Sequence, residues 1–324
     1  MDEPETSDGV FVVVPSYNHA RFVERCLRSI ITQTRAPKKL LVIDDGSTDG
    51  SPEIIERVLD ACPFESELIV NENRGICATL NQGLETSEGA YFAYLGSDDV
   101  WLPTFLAEQI GLLETRPTAV LAFSHAYLVD ENDNVFDSTA EWTDFADGDL
   151  LPVLLRGMIF SSPGVLYRRA PLARHRWNVN SRLEDYEMYL RLSTEGEFAR
   201  NEKVLCAWRQ HGENASRQLP QMFSEMLAAQ DRLADSLGLD RAMLDQIQKQ
   251  MKFTAAENFV RQGFRREAAK LFADNIGSAR LQDVMRTALR LAIPQSLFQW
   301  NRRRKRQRSI ARYGKLDDVI RGHN

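Results

Sequence analysis

Short apolar runs alternate with amphipathic stretches over the first 130 residues, the pattern of parallel strands wrapped by helices. It predicts strands over 10–14, 40–43, 68–70 and 90–95, with helices over 21–32, 52–61 and 76–85 between them. Each strand run ends in a polar cluster: Pro15-Ser16-Tyr17-Asn18, Asp44-Asp45-Gly46-Ser47, residues 71–75, and Ser97-Asp98-Asp99. In open α/β sheets ligands bind outside the carboxyl ends of the strands, so four such clusters are expected to converge on one crevice.

From 119 to 216 the pattern is mixed, with strand-like runs at 120–123 and 164–167, a helix over 183–192 and a strand over 204–208. This part is expected to complete the sheet and form the second wall of the crevice. Beyond 219 the spacing turns helical. Phe223, Met226, Leu227, Gln230 and Leu233 share one stripe, and Phe259, Val260, Phe264, Ala268, Leu271 and Phe272 another. The fold class expected is α/β, a Rossmann-like, mostly parallel sheet flanked by helices and followed by an all-helical part. The divisions fall at 1–218 for the α/β domain, 219–294 for the helical C-terminal domain and 295–324 for a basic amphipathic tail. Residues 255–276 are like one helix-turn-helix repeat unit, and a single copy makes no array.

Composition narrows the class. The chain has 324 residues, 43% of them apolar, enough for one large core or two smaller ones. Its net charge of -6 hides an asymmetry: residues 295–324 carry +7 and the first 294 carry -13. An acidic body is unlike a nucleic-acid reader, so no nucleic-acid partner is expected. Arg302, Arg303, Arg304, Lys305, Arg306, Arg308 and Arg312 lie close together beside Leu297, Phe298, Trp300 and Ile310. Such a segment suits an anionic membrane surface, and a solvated charge run is the plainer alternative. No stretch reads as a signal peptide or a membrane span, so a cytoplasmic location is expected, peripheral on the inner face of the plasma membrane if the tail binds it. Cys26, Cys62, Cys77 and Cys206 are scattered and read as free, buried thiols.

The candidate chemistry lies in carboxylates. Asp98 and Asp99 at a strand end suit a hard divalent cation, although helix capping explains them equally. Asp44 and Asp45 close another strand of the same sheet, where turn chemistry is the plain alternative. Ser181 and Glu184 have capping-box spacing. In a regular helix Asp185, Met188, Tyr189 and Leu192 share one stripe, which sets a carboxylate among core-facing side chains, and burial raises its pKa toward that of a general base. His211 lies in the polar loop Trp208-Arg209-Gln210-His211-Gly212-Glu213-Asn214-Ala215-Ser216.

Taken together, Pro15-Ser16-Tyr17-Asn18, Ile43-Asp44-Asp45-Gly46-Ser47-Thr48-Asp49, Asn73-Arg74-Gly75 with Asn81-Gln82-Gly83, and Ser97-Asp98-Asp99 resemble the inverting family 2 glycosyltransferases of the GT-A fold. The resemblance covers about residues 10–216. It implies that Pro15, Tyr17 and Asn18 line the base and ribose of a nucleotide-sugar donor and that Asp45 accepts hydrogen bonds from the base. It places Arg74 near the phosphates and Asp98 on the ribose or sugar. Asp99 is the implied ligand of Mn2+ or Mg2+, with Ser97 standing where the D-x-D form has its first Asp. His211 would complete the cation's shell, and Asp185, second in the Glu-Asp motif, would be the base. The Q-x-x-R-W element of processive synthases is absent, so one sugar, from a UDP-sugar on this reading, would pass to a glycan or lipid-linked glycan acceptor. Two other readings stay open. One is a catalytically idle nucleotide-sugar-binding scaffold, against which Asp98, Asp99 and Asp185 argue. The other is a sugar nucleotidyltransferase, whose Gly-rich phosphate loop is missing near residue 15.

Overall fold

The computed structural model describes residues 9–142, 147–157, 160–181, 183–212 and 218–322; the acidic residues 1–8 and the loop residues Glu213, Asn214, Ala215 and Ser216 lie outside the described residues. Nine strands form one sheet among these: β1 (Val10–Ser16), β2 (Lys39–Asp44), β3 (Glu65–Val70), β4 (Tyr91–Tyr94), β5 (Val100–Trp101), β6 (Ala119–Asp130), β7 (Val135–Ser138), β8 (Val165–Arg168) and β9 (Glu197–Gln210). Their order is β3-β2-β1-β4-β8-β6-β9-β5, with β7 paired to β6. β3, β2, β1 and β4 run parallel, whereas β8 is antiparallel to both β4 and β6.

Helices α1 (Val23–Ile31), α2 (Ser51–Leu59), α3 (Ile76–Thr86) and α4 (Phe105–Thr115) cross between strands. β1 shows why its run is wholly apolar: Val10, Val12 and Val14 enter the core on one face, and Phe11 and Val13 the core on the other. Helix α3 lies so close to β1 that a Cβ on Gly83 would come within 2.8 Å of Val13. The short helices α5 (Leu151–Leu154) and α6 (Arg169–Leu172) precede α7 (Glu184–Leu192), on which Asp185, Met188, Tyr189 and Leu192 are all buried, as their spacing predicts. The capping box does not form. Helix α7 begins at Glu184 with Leu183 as its cap, and the Ser181 hydroxyl instead accepts from the Leu183 N–H at 3.2 Å.

The helical part comprises α8 (Leu219–Leu233), α9 (Arg241–Gln262), α10 (Arg265–Asn275), α11 (Leu281–Ala292), α12 (Gln295–Tyr313) and α13 (Leu316–Gly322). A chain break in helicity at 218 is not a break in the core: Ala229, Leu233 and Leu244 pack with Leu154, Tyr186 and Leu190. Gly263, at φ +102°, ends α9 and turns the chain into α10, which gives the helix-turn-helix seen in the sequence. Phe259, Val260 and Ala268 pack there with Phe223, Phe264 and Phe298. All four cysteines are free; Cys62 alone of them is only half-buried.

The tail is a docked element rather than a loose charge run. Arg306 pairs with Asp130 at 2.6 Å, Lys305 with Asp137 at 2.9 Å and Arg312 with Glu141 at 2.7 Å. Leu316 is fully buried against Val100, Leu102, Val129 and Val135. Truncating a buried Leu removes its transfer energy and leaves a cavity. Leu316→Ala is therefore expected to lower unfolding free energy by about 2–5 kcal/mol in urea denaturation, with α12 detaching first.

Candidate active site

The four polar clusters meet at the carboxyl ends of β1 to β4. Asn18 adopts left-handed φ +54°, which turns its N–H to Ser47 Oγ (2.8 Å) and its Oδ1 to the Thr48 N–H (2.9 Å). Asp44 holds the same turn, accepting from the Ser47 N–H at 2.8 Å and hydroxyl at 2.7 Å. Asp45 accepts from the backbone N–H groups of Arg74 (2.9 Å) and Gly75 (2.8 Å), so its carboxylate organises the third loop. Pro15 is buried, while Tyr17, 48% exposed, and Arg74 face the crevice and solvent. The Asn81-Gln82-Gly83 element is structural: Asn81 exchanges two hydrogen bonds with the Trp177 backbone, and Gln82 accepts from Asn71 and Arg74.

At the end of β4 the two adjacent carboxylates part company. Asp98 Oδ2 lies 3.0 Å from His211 Nε2, and its Oδ1 3.9 Å from His19 Nδ1, which also meets Ser97 Oγ at 2.8 Å. One ligand atom each from His19, Asp98 and His211 fall within 4.8 Å of one another. Asp99 turns away, its Oδ1 accepting the Arg209 N–H at 2.7 Å. The carboxylate gathered with His211 is thus Asp98, whereas Asp99, the ligand that the resemblance implies, is turned toward the Arg209 backbone. A Cβ on Gly96 would lie 3.0 Å from Asp98 Oδ1. His19 escaped the sequence reading, although it directly follows Pro15-Ser16-Tyr17-Asn18.

Electrostatics separates the same two side chains. Burial pushes the Asp98 carboxyl up, but the His211 hydrogen bond and the two imidazoles outweigh it and hold it below the ordinary range. Burial pushes Asp99 well above that range, and the charge of Asp98 pushes it further. The Arg209 guanidinium, itself buried, donates to the backbone oxygens of Asp98 (2.8 Å) and Asp130 (2.7 Å) and pairs with Asp133 at 2.7 Å.

Asp185 is buried on α7, and its Oδ1 accepts from the Tyr186 N–H at 2.7 Å. Burial, then the neighbouring Glu184 charge, raises its carboxyl well above the ordinary value. Its charge reaches Tyr94, the last residue of β4, which stacks on Tyr167. Glu187, two residues further in the same acidic run, is a tie to α8 through Arg232 at 2.7 Å and also pairs with Arg191 on α7. Burial pushes its carboxyl up, but these partners hold it below the ordinary range.

A strand-end crevice on a curled, mostly parallel sheet, with a carboxylate and two imidazoles at its rim and a buried, raised carboxyl on α7, defines an α/β enzyme of the GT-A fold. Residues 11–176, just over half of the chain, match the model of glycosyl transferase family 2, and the chain belongs to that family. It is 30% identical to an uncharacterized glycosyltransferase of Nostoc over 169 residues, 51% of this chain and 52% of that one. It is 29% identical to the chondroitin synthase of Escherichia coli over 216 residues, 64% of this chain and 30% of that one. The chain thus spans about half or less of the length of these relatives. Among solved structures, the mannosyltransferase of Pyrobaculum calidifontis in complex with GDP-Man and Mn2+ superposes with a TM-score of 0.60 at 18% identity, covering 97% of this chain and 89% of that one. TarS of S. aureus in complex with UDP-GlcNAc gives 0.58 at 17%, covering 82% and 89%.

A carboxyl with a raised folded-state pKa weakens the fold once the unfolded chain ionises. The unfolded Asp loses its proton near pH 3.9, whereas folded Asp185 resists, so stability drains away as pH rises from about 4 toward the folded value. Asp185→Asn removes that liability. The variant is expected to melt with the parent at pH 4 and roughly 2–4 °C above it at pH 7 by calorimetry.

Proposed function

We propose that this chain transfers one sugar from a nucleotide sugar, a UDP-sugar in the first instance, to a hydroxyl of a glycan or lipid-linked glycan, with inversion at the anomeric carbon. The meeting of Asp98, His211 and His19 at the strand ends carries the reading. Two imidazole nitrogens and one carboxylate form a mixed donor set that suits Mn2+ better than Mg2+, which prefers oxygen ligands throughout. Bound there, the cation would neutralise charge on the departing nucleoside diphosphate. The Mn2+ and the sugar nucleotides carried by the similar structures support the same assignment.

The protein's own groups do the rest. Pro15, Tyr17 and Asn18 line the base and ribose, and Asp45 sets the Arg74 loop that approaches the diphosphate. Asp185, raised by burial, takes the proton of the acceptor hydroxyl. That oxygen attacks the anomeric carbon opposite the diphosphate, the bond to the diphosphate oxygen breaks, and configuration inverts. Residues 1–218 carry this chemistry, and 219–294 supply its helical flank.

The basic segment 295–324 is proposed to meet an anionic membrane surface, now through one face only. Lys305, Arg306 and Arg312 are paired to the body, leaving exposed Arg303, Arg304 and Arg308 without acidic partners among the described residues. Trp300, 55% exposed, stacks under Arg304 at 4.6 Å, and Leu281, Met285 and Leu289 form an exposed stripe on α11. No described helix is long and apolar enough to cross a membrane.

Asp185→Asn is expected to cut transfer by about 10²–10⁴ while donor binding survives in a thermal-shift assay with Mn2+. Asp98→Asn should weaken Mn2+ binding in calorimetry far more than Asp99→Asn does. In the parent, the acid limb of kcat against pH should lie above that of an ordinary carboxylate, because the raised Asp185 must lose its proton to act. Normal turnover in Asp185→Asn overturns the base. For the membrane face, replacing Arg303, Arg304 and Arg308 with Gln should abolish sedimentation with phosphatidylglycerol vesicles and leave the fold intact.

A further inference from the structure

An apolar cavity of about 570 Å³ opens between β9 and helices α8 and α9. Phe160, Met226, Met251 and Phe259 line its interior, with Trp142 and Trp208 as further walls. Its volume lies within the roughly 300–1,000 Å³ typical of ligand sites. Two features say what kind of ligand fits. Thioether and aromatic side chains dominate, a lining that adapts to a flexible aliphatic chain and offers few partners to the many hydroxyls of a sugar. Arg156 is the single charged residue among the described lining, exposed at the rim and without a carboxylate partner among the described residues. It donates only to its own helix, at the Pro152 carbonyl, 2.6 Å away.

Two wall residues join the cavity to the elements that carry the candidate site. Phe160 packs on Tyr189 with ring centroids 4.6 Å apart, one turn from Asp185 on α7. Trp208 lies three residues before His211. We propose that this cavity seats the single hydrocarbon chain of a lipid-phosphate-linked acceptor, with the phosphate beside Arg156 and the sugar led toward Asp185. An amphiphile with an apolar chain and an anionic joint matches an apolar lining with one cation at its rim. The inference rests on the transferase reading and names the acceptor class it left open.

The test uses the full chain and farnesyl phosphate below its micelle concentration, followed by tryptophan fluorescence and calorimetry. Saturable binding is expected, with geranyl phosphate, one isoprene unit shorter, at least tenfold weaker because buried chain carbons drive affinity. Farnesol should also bind at least tenfold more weakly, and inorganic phosphate not at all. Thr254→Trp, at an exposed rim position on α9, should weaken farnesyl phosphate at least tenfold. Arg156→Gln should do the same while leaving farnesol unchanged. Asn258→Trp serves as a second block should Thr254→Trp melt early. Both cavity variants should bind UDP-sugar with Mn2+ as the parent does. No saturable binding by the parent, full binding in folded blocked variants, or farnesol binding as well as its phosphate overturns the proposal. Equal affinity for a two-chain phosphatidic acid reassigns the cavity to bilayer lipid and overturns it as well. A parent chain that binds no donor instead sinks the transferase reading, so the two failures are distinct.

Discussion

The site depends on one buried cation, the guanidinium of Arg209. A charge taken out of water is tolerated only where surrounding groups replace its hydration. Arg209 finds those groups in the Asp98 and Asp130 backbone oxygens and the Asp133 carboxylate, while the Phe22 ring lies 4.9 Å from its centre. Its planar fork bonds in fixed directions, which a lysine ammonium would not reproduce. Its own N–H takes Asp99, so one residue of β9 fixes both neighbours in the Asp98-Asp99 pair. His211 stands two residues further on, its ring 5.2 Å from Phe22. The position of the imidazole relative to Asp98 thus follows from how Arg209 is buried.

That arrangement explains how two adjacent carboxylates come to differ. Like charges a few ångströms apart in a poorly solvated place do not both ionise readily. Asp98 keeps its charge because two imidazoles face it, and Asp99 is driven toward the neutral form by burial and by Asp98 itself. Asp185 and Glu184 repeat the conflict on α7, both raised by burial. Carboxyls held against their preference cost stability, and such strain is usual where a protein positions reactive groups.

Much of this was legible in the sequence, and the rest was hidden for identifiable reasons. The runs at 10–14 and 40–43 announced parallel strands because burial on both faces leaves no polar position to blur them. Polar clusters marked the strand ends because turns and ligand loops need Asn, Asp, Ser and Gly. β5, two residues long, gives no periodicity, and β6 is buried over all twelve residues, so alternation could not set its length. Adjacency concealed which of Asp98 and Asp99 meets His211, since side chains of consecutive residues diverge in directions the sequence does not specify. His19 looked like an ordinary loop residue until β4 brought Ser97 and Asp98 beside it. The basic run from Arg302 to Arg312, expected to meet an anionic membrane surface or solvent, gave no sign of docking because the acids that pair with three of its members, Asp130, Asp137 and Glu141, lie about 170 residues earlier.

Those distant pairs change what the C-terminal helices are for. Surface ion pairs contribute little singly. Here they accompany the burial of Leu316 beneath β5 and β7, and Arg25 links Asp133, the partner of Arg209, to Asp317 on α13. The last helices therefore close over the same acidic turn that satisfies Arg209. Helix α12 divides its faces: the inward side is neutralised by Asp130, Asp137 and Glu141, and on the outward side Arg303, Arg304 and Arg308 lie exposed beside Trp300. The exposed basic face is thus set against the face that braces Asp133 and, through it, Arg209, so a change on the outer side of α12 need not disturb the ion pairs on its inner side.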